Sequence, residues 1–195
     1  EEEIPPGHVV NAPGAWAGRV PRLAGVALPV EPLKRQVAVT EPFGGLPEEM
    51  PMTIFVEDGF HLRVRDGRVL LLWPDERRAG LGFDTSVEEG WLAEVISKAH
   101  ARVPRLRGAD IARGECWAGL YEMSPDKHAI LGRSPGVENF YLANGSSGHG
   151  VMHAPALGQL LSEIILDGEA HTLDARPLRP TRFAEGEPNT APELL

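Results

Sequence analysis

Asn139-Phe-Tyr-Leu-Ala-Asn-Gly-Ser-Ser-Gly-His-Gly-Val-Met-His-Ala-Pro-Ala-Leu-Gly158 is the stretch on which the reading of this chain turns. Asn139 to Ala143 is an apolar run of strand character. It passes straight into glycines at 145, 148 and 150, and then Leu157, Leu160, Leu161, Ile164 and Ile165 recur at helical spacing. The expected unit is therefore strand, glycine loop, helix, with Pro155 near the first turn and Gly168 as the C-cap. Glycines allow a ligand to approach the backbone closely, and a helix start presents unpaired N–H groups with partial positive charge. Such a unit suits negative charge or a polarised carbonyl. The spacing G-x-x-G-x-G is not the dinucleotide pattern G-x-G-x-x-G, and a glycine turn that merely packs helix on strand has the same composition. Spacing alone does not separate the two.

Other chemistries are less well supported around this loop. His149 and His153 stand at helical metal-ligand spacing, but the intervening glutamate of a zincin is missing and no third ligand is near in sequence. Ser147 has Gly145 before it but His149 after it, which breaks the G-x-S-x-G nucleophile turn. Cys116, in a predicted strand beside Trp117, reads as a small buried hydrophobe.

Toward the N-terminus, Gly7 to Ala12 reads as a strand, Pro13-Gly14 as a turn and Ala15-Trp16-Ala17 as a helix start cut short by Pro21. Leu33–Thr40 and Met52–Glu57 read as strands separated by a Pro/Gly-rich loop. Phe60–Val64 and Arg68–Trp73 flank Asp66-Gly67, a strong hairpin signal. Ser86 with Glu89 suggests a capping box opening a helix whose apolar stripe is Trp91, Leu92, Val95, Ile96 and Ala99, ending before Pro104. Glu115–Tyr121 reads as another strand. Asp126 reads as a turn or capping residue rather than a base. Residues 174–195 contain four prolines and little apolar periodicity, which suggests an irregular tail or one docked on a partner.

The chain of 195 residues is 42% apolar and 24% charged, which suits a globular fold and not a disordered or fibrous one. Its net charge of −9 argues against nucleic acid or anionic lipid as a partner. One cysteine excludes an intrachain disulfide, a cysteine zinc site or an iron–sulfur cluster. No apolar run approaches the ~20 residues of a membrane helix, and with no signal-peptide pattern a cytoplasmic location is expected.

Two blocks carry a family resemblance. Trp117-Ala-Gly-Leu-Tyr-Glu-Met-Ser-Pro-Asp-Lys-His-Ala-Ile-Leu-Gly132, followed by the 139–158 stretch, resembles the C-terminal signature of FAD-dependent oxidoreductases of the D-amino-acid oxidase superfamily. The resemblance is nearest to the branch around the sarcosine oxidase β subunit and dimethylglycine dehydrogenase. Val9-Val-Asn-Ala-Pro-Gly-Ala-Trp16 is similar to the family's N-A-x-G-x-W segment, which passes the FAD.

The resemblance implies a non-covalent FAD held by Ala12, Gly14 and Trp16 and by Gly145, Ser146, Ser147, Gly148, His149, Gly150, Val151 and Met152. It implies an amine or amino-acid substrate that loses hydride to flavin N5 and leaves as an imine. Similar enzymes acting on primary D-amino acids or glycine show W-x-G-x-R-P, where this chain has Tyr121-Glu122. The lysine that some N-methyl amino-acid oxidases carry at the position of Met152 is missing, their covalent-flavin cysteine would fall near Gly119, and no lysine lies between Lys34 and Lys98. A sarcosine-, dimethylglycine- or proline-like substrate and a dehydrogenase rather than an oxidase are therefore expected. Arg35 and Arg63 are candidates for the substrate carboxylate, Arg35 having the stronger claim, with His61 and Tyr121 as polar lining; for each arginine a solvated strand face is the competing reading.

The expected fold is α+β: a mixed, largely antiparallel substrate-domain sheet with flanking helices, plus the C-terminal part of an FAD-binding domain. Residues 1–30 would end an FAD-domain segment, 31–115 form the substrate domain, 116–172 the flavin-contacting strand–loop–helix and 173–195 the irregular tail. The βαβ unit that holds the ADP half of FAD in similar enzymes is absent from these residues, and the acidic start without Met reads as a cut edge. A missing N-terminal segment or a separate subunit would then be the partner. The alternatives are a non-catalytic assembly domain derived from such an enzyme and, behind it, a histidine-metal hydrolase.

Overall fold

The structure is a computed structural model and describes residues 5–75 and 82–190. Its fold mixes helix and sheet, and the sheets are largely antiparallel. The described residues fall into two compact units: one comprises those up to Leu33 and those from Tyr121 onward, the other Lys34–Leu120. The boundaries expected at 30 and 115 move to 33 and 120, and residues 173–190 join the first unit instead of standing apart.

In the second unit, β3 (Thr53–Phe55), β4 (Phe60–Arg65) and β5 (Arg68–Leu72) form an antiparallel meander. The sheet continues through β2 (Glu31–Val39) to β6 (Trp117–Met123), in the order β3-β4-β5-β2-β6. Asp66 (φ 53°) and Gly67 (φ 69°) make the tight turn that the sequence signals. Strand alternation buries Phe60, Leu62 and Val64 and leaves Arg63 and Arg65 exposed. Helix α1 (Glu89–Arg102) covers the buried face, and Trp91, Leu92, Val95 and Ala99 pack on Phe60, Leu62, Val69, Leu71 and Ala38. Each such fully buried large side chain contributes about 1.5–3 kcal/mol.

The start of α1 departs from the expected capping box. The helix begins at Glu89, with Glu88 as N-cap and no side-chain cap, while Ser86 gives its N–H and hydroxyl to Asp84. The reason lies on β2. Gln36 Oε1 accepts the Glu88 N–H at 2.7 Å, and the buried Lys34 ammonium bridges Asp84 at 2.8 Å and Glu88 at 2.7 Å. Tertiary contacts fix the helix start where a local motif was expected.

In the first unit, β1 (Val9–Asn11) runs parallel to β8 (Phe140–Asn144), and β7 (Ile130–Arg133) pairs antiparallel with the other edge of β8. Two apolar clusters flank this small sheet: Ala17, Val26, Leu28, Val30, Ile130, Phe140 and Leu142 on one side, and Leu131, Tyr141, Leu160 and Leu161 on the other. The last two belong to α2 (Gly150–Leu166). Its C-terminal half packs down, whereas Val151 and Met152 near its start are 88% and 67% exposed.

Of the expected irregular tail, 173–195, residues 191–195 lie outside the described residues, and the described part is ordered. Residues Arg176–Leu178 and Pro180–Phe183 form 3-10 turns. Arg182 is completely buried and makes a bidentate pair with Asp126, Nε to Oδ2 at 2.8 Å and Nη2 to Oδ1 at 2.9 Å. The prolines shape these turns by fixing φ; the long-range ion pair holds them down.

Candidate functional site

β1 and β8 are parallel, and in open α/β sheets ligands gather beyond the carboxyl ends of such strands. Both strands end on a buried asparagine. Asn11 Nδ2 donates to Asn144 Oδ1 at 2.9 Å, which ties the start of the Ala12–Trp16 segment to the start of the glycine loop. Ala12 and Trp16 lie exposed beyond that bond, and Gly14 adopts φ 59°. Asn11 Oδ1, Asn144 Nδ2 and Glu122 Oε2 are buried polar atoms without a partner among the described residues.

The loop backbone is held from one side by β6. Met123 pairs with Ser146 in an isolated antiparallel bridge, and the Ser147 N–H donates to the Glu122 carbonyl at 3.2 Å. The Glu122 side chain accepts from the Gly145 and Ser146 N–H groups. Burial pushes the Glu122 carboxyl above the ordinary glutamate value, and these two N–H bonds oppose that shift. Ser147 takes the left-handed conformation at φ 50°, with its hydroxyl donating to Gly145 O at 3.0 Å and accepting the Ser124 N–H at 3.1 Å.

These contacts sort the donors of the loop. The N–H groups of Gly145, Ser146 and Ser147 point into protein. Those of His149 and Met152 go to Ser146 O and His149 O. Gly148, Gly150 and Val151 have N–H groups that meet no acceptor among the described residues, and α2 carries no side-chain cap. Of the eight loop residues singled out from the sequence, three thus offer a free donor, at the helix end where the dipole is positive. The Gly148 backbone also lies against Tyr121: a Cβ there would sit 2.5 Å from Tyr121 Cε2. Gly148 is therefore required by a contact within the protein.

The other candidates lie on the sheet of the second unit. His61 and Arg63 share the face of β4 opposite α1, and through the register His61↔Leu72↔Val37 and Arg63↔Leu70↔Val39 the alternation of β2 puts Arg35 on the same face. His61 Nδ1 sits 2.8 Å from Gly59 O, and Arg63 is exposed. Arg35 Nη1 reaches Lys34 O at 3.5 Å, and the side chain borders a small recess with Gln36, Trp73, Asp75 and Trp91. Cys116, just before β6, is half-buried against the core, its sulfur 3.5 Å from both Val39 N and Ala112 O. The His149 and His153 rings stack at 5.4 Å, and among the described residues no group of three or more His, Cys, Asp or Glu side chains is placed to hold a metal ion. No helix of the described residues is long and apolar enough to cross a membrane.

Glu122, Ser124 and Asp126 were not foreseen as parts of this site. A charged residue next to the end of the otherwise apolar strand Trp117–Met123 was the one available signal.

Comparison with known proteins places the chain in a family. The family described as DAO, FAD dependent oxidoreductase, matches residues 2–164. The mouse "FAD-dependent oxidoreductase domain-containing protein 1" is 32% identical over 194 residues, covering 92% of this chain and 39% of the relative. Human mitochondrial dimethylglycine dehydrogenase is 32% identical over 198 residues, covering 91% of this chain and 22% of the relative. Among solved structures, L-proline dehydrogenase from P. horikoshii superimposes with a TM-score of 0.83 at 32% identity, covering 94% of this chain and 48% of that one. The chain thus spans less than half the length of each of these relatives.

Proposed function

The chain belongs to the FAD-dependent oxidoreductase family, whose members act on amino acids or amines, and from that membership we propose that it supplies one side of the flavin site of an enzyme oxidising the C–N bond of a secondary or tertiary amino acid or amine. The observation that carries this reading is the set of unpaired N–H groups at Gly148, Gly150 and Val151, held at the uncapped positive end of α2. The residues present fit FAD: a rigid loop with free donors, two orphaned asparagine atoms at the strand ends, and exposed apolar side chains at Val151 and Met152. Bound FAD would supply the two-electron acceptor.

This chain's own residues would do the rest. The three N–H groups and the helix dipole favour negative charge placed against them; losing one prepared oxyanion donor costs ~3–4 kcal/mol in other enzymes, while a helix dipole gives ~0.3–2 kcal/mol. Tyr121 occupies the position where the resemblance implies an arginine for primary amino acids, so its ring would line the site without clamping a carboxylate. That task falls to Arg35, with Arg63 as the alternative on the same sheet face. The substrate names of two relatives, proline and dimethylglycine, are consistent with a substituted amine. Dehydrogenase chemistry is preferred over oxidase chemistry, because the stretch from Lys34 to Lys98 contains no intervening lysine. The remaining flavin contacts would come from an N-terminal segment or a separate subunit.

Anaerobic mixing of the assembled, FAD-loaded protein with L-proline, sarcosine, dimethylglycine, glycine and D-alanine tests the proposal. Bleaching of the flavin bands by one or more of the first three is expected. Rapid bleaching by primary amino acids alone would overturn the substrate assignment, and an assembled protein free of flavin would overturn the whole reading.

A further inference from the structure

The C-terminal segment reaches the glycine loop through an unbroken line of hydrogen bonds, buried from Arg182 inward. Asn189 donates to Asp126 Oδ2 through both its N–H, at 3.0 Å, and its Nδ2, at 3.2 Å. Arg182 holds both oxygens of the same carboxylate and also donates to His128 O, Leu178 O and Arg179 O. The single proton of the Ser124 hydroxyl is shared between His128 O, at 2.7 Å, and Asp126 Oδ1, at 3.3 Å, and the His128 N–H donates to the same Asp126 oxygen at 3.2 Å. Ser124 N donates to Ser147 Oγ, with the two hydroxyl oxygens 3.3 Å apart. Ser124, Asp126, Ser147 and Arg182 are all at least nine-tenths buried.

The last member of this line is the strained one. Ser147 holds a left-handed backbone, a conformation that costs an L residue free energy and persists only where the surroundings over-determine it. Its side chain is fixed by Gly145 O on one side and Ser124 N on the other, and the very next residue is Gly148, whose N–H is one of the free donors. A shift of Ser124 therefore moves the anchor of the loop, and Ser124 is itself braced by Asp126. Burial alone would raise the Asp126 carboxyl; the Arg182 guanidinium together with the Asn189 and His128 N–H groups holds it well below the ordinary aspartate range, so it remains an ionised acceptor for all its donors at neutral pH.

We propose that the C-terminal segment, acting from Arg182 and Asn189 through Asp126 and Ser124, is a positioning element that fixes Ser147 and thereby aims the Gly148, Gly150 and Val151 N–H groups. None of these four residues touches the cofactor in this reading; each acts through the next. The consequence for cofactor binding rests on the flavin site proposed above, whereas the consequence for loop rigidity does not.

Asn189→Ala removes the outermost link, Arg182→Lys keeps the charge but loses the planar fork, and Ser124→Ala cuts the line next to the loop. Residue-resolved amide exchange of 145–151 in the flavin-free protein, the FAD dissociation constant of the assembled protein and the melting temperature are measured for each. Expected are exchange at least tenfold faster in the loop for Ser124→Ala and several-fold faster for Asn189→Ala, weaker FAD binding in the same order, and a double variant no worse than Ser124→Ala. Lower melting temperatures with loop exchange and FAD affinity unchanged would overturn the proposal, as would effects of Ser124→Ala and Asn189→Ala that simply add. If the assembled wild-type protein binds no FAD while loop exchange still responds, the flavin reading fails and the positioning role stands. Asn189 is only half-buried, so Asn189→Ala gives an answer even if Arg182→Lys does not fold.

Discussion

Replacing Gly148 by alanine separates a structural from a cofactor role for the glycine loop. The added Cβ would stand 2.5, 2.9 and 3.1 Å from Cε2, Cδ2 and Cζ of Tyr121, on a residue with φ of +92°. A left-handed conformation costs an alanine about 1–2 kcal/mol, and displacing a packed ring adds about 1–3 kcal/mol. The combined loss, about 2–5 kcal/mol, is a large share of the ~5–15 kcal/mol that a typical domain has. Chemical denaturation of Gly148→Ala, Tyr121→Ala and the double variant forms a cycle from which the ring contact is read as the coupling between the two sites. A coupling of about 1–3 kcal/mol is expected, with the backbone part surviving in the double variant. Gly150→Ala is the control: its nearest neighbour is Ser146 Cβ at 3.5 Å, an ordinary contact, and its φ is not left-handed. A Gly148→Ala protein as stable as wild type, or a loss untouched by Tyr121→Ala, would refute the argument that Tyr121 occupies the space.

Three further outcomes follow from the same contacts. Arg182→Ala leaves Asp126 buried without its cation and should destabilise by about 3–5 kcal/mol, read as a lowered midpoint in urea. Glu122 has a carboxyl raised by burial, so the folded state favours its protonated form; the stability this confers is complete below the ordinary glutamate value and lost as pH rises through the folded one. Denaturation from pH 4 to 8 should therefore show wild type losing stability relative to Glu122→Gln as pH rises, and parallel curves would contradict it. If Arg35 anchors the substrate carboxylate, Arg35→Ala should raise KM by about 10–100-fold, the worth of a charged hydrogen bond, while Arg63→Ala changes it little; the reverse pattern would transfer the role to Arg63.

Local signals served well where the chemistry was local. Asp66-Gly67 forms its hairpin, the stripe Trp91, Leu92, Val95 and Ala99 faces the core, and Leu160 and Leu161 dock α2 as their spacing implies. The start of α1 was misread because the Glu88 N–H is taken by Gln36, a residue far away in sequence. Strand Ile130–Arg133 escaped notice because it is short, contains Gly132 and is specified by pairing with β8. The tail looked irregular because its prolines are visible locally and the Arg182–Asp126 pair is not. The glycine loop itself was evident, yet which of its N–H groups remain free depends on Glu122, Ser124 and Ser147, whose contacts arise only when β6 meets the loop.

If the free donors at the start of α2 hold the flavin while the donors before them hold the loop, FAD binding changes the exchange of the first set and not of the second. Residue-resolved amide exchange of the assembled protein with and without FAD tests it directly. Strong new protection is expected at Gly148, Gly150 and Val151 on FAD binding, with Gly145, Ser146 and Ser147 protected already and little changed. FAD bound at full occupancy with no added protection at those three amides would contradict it.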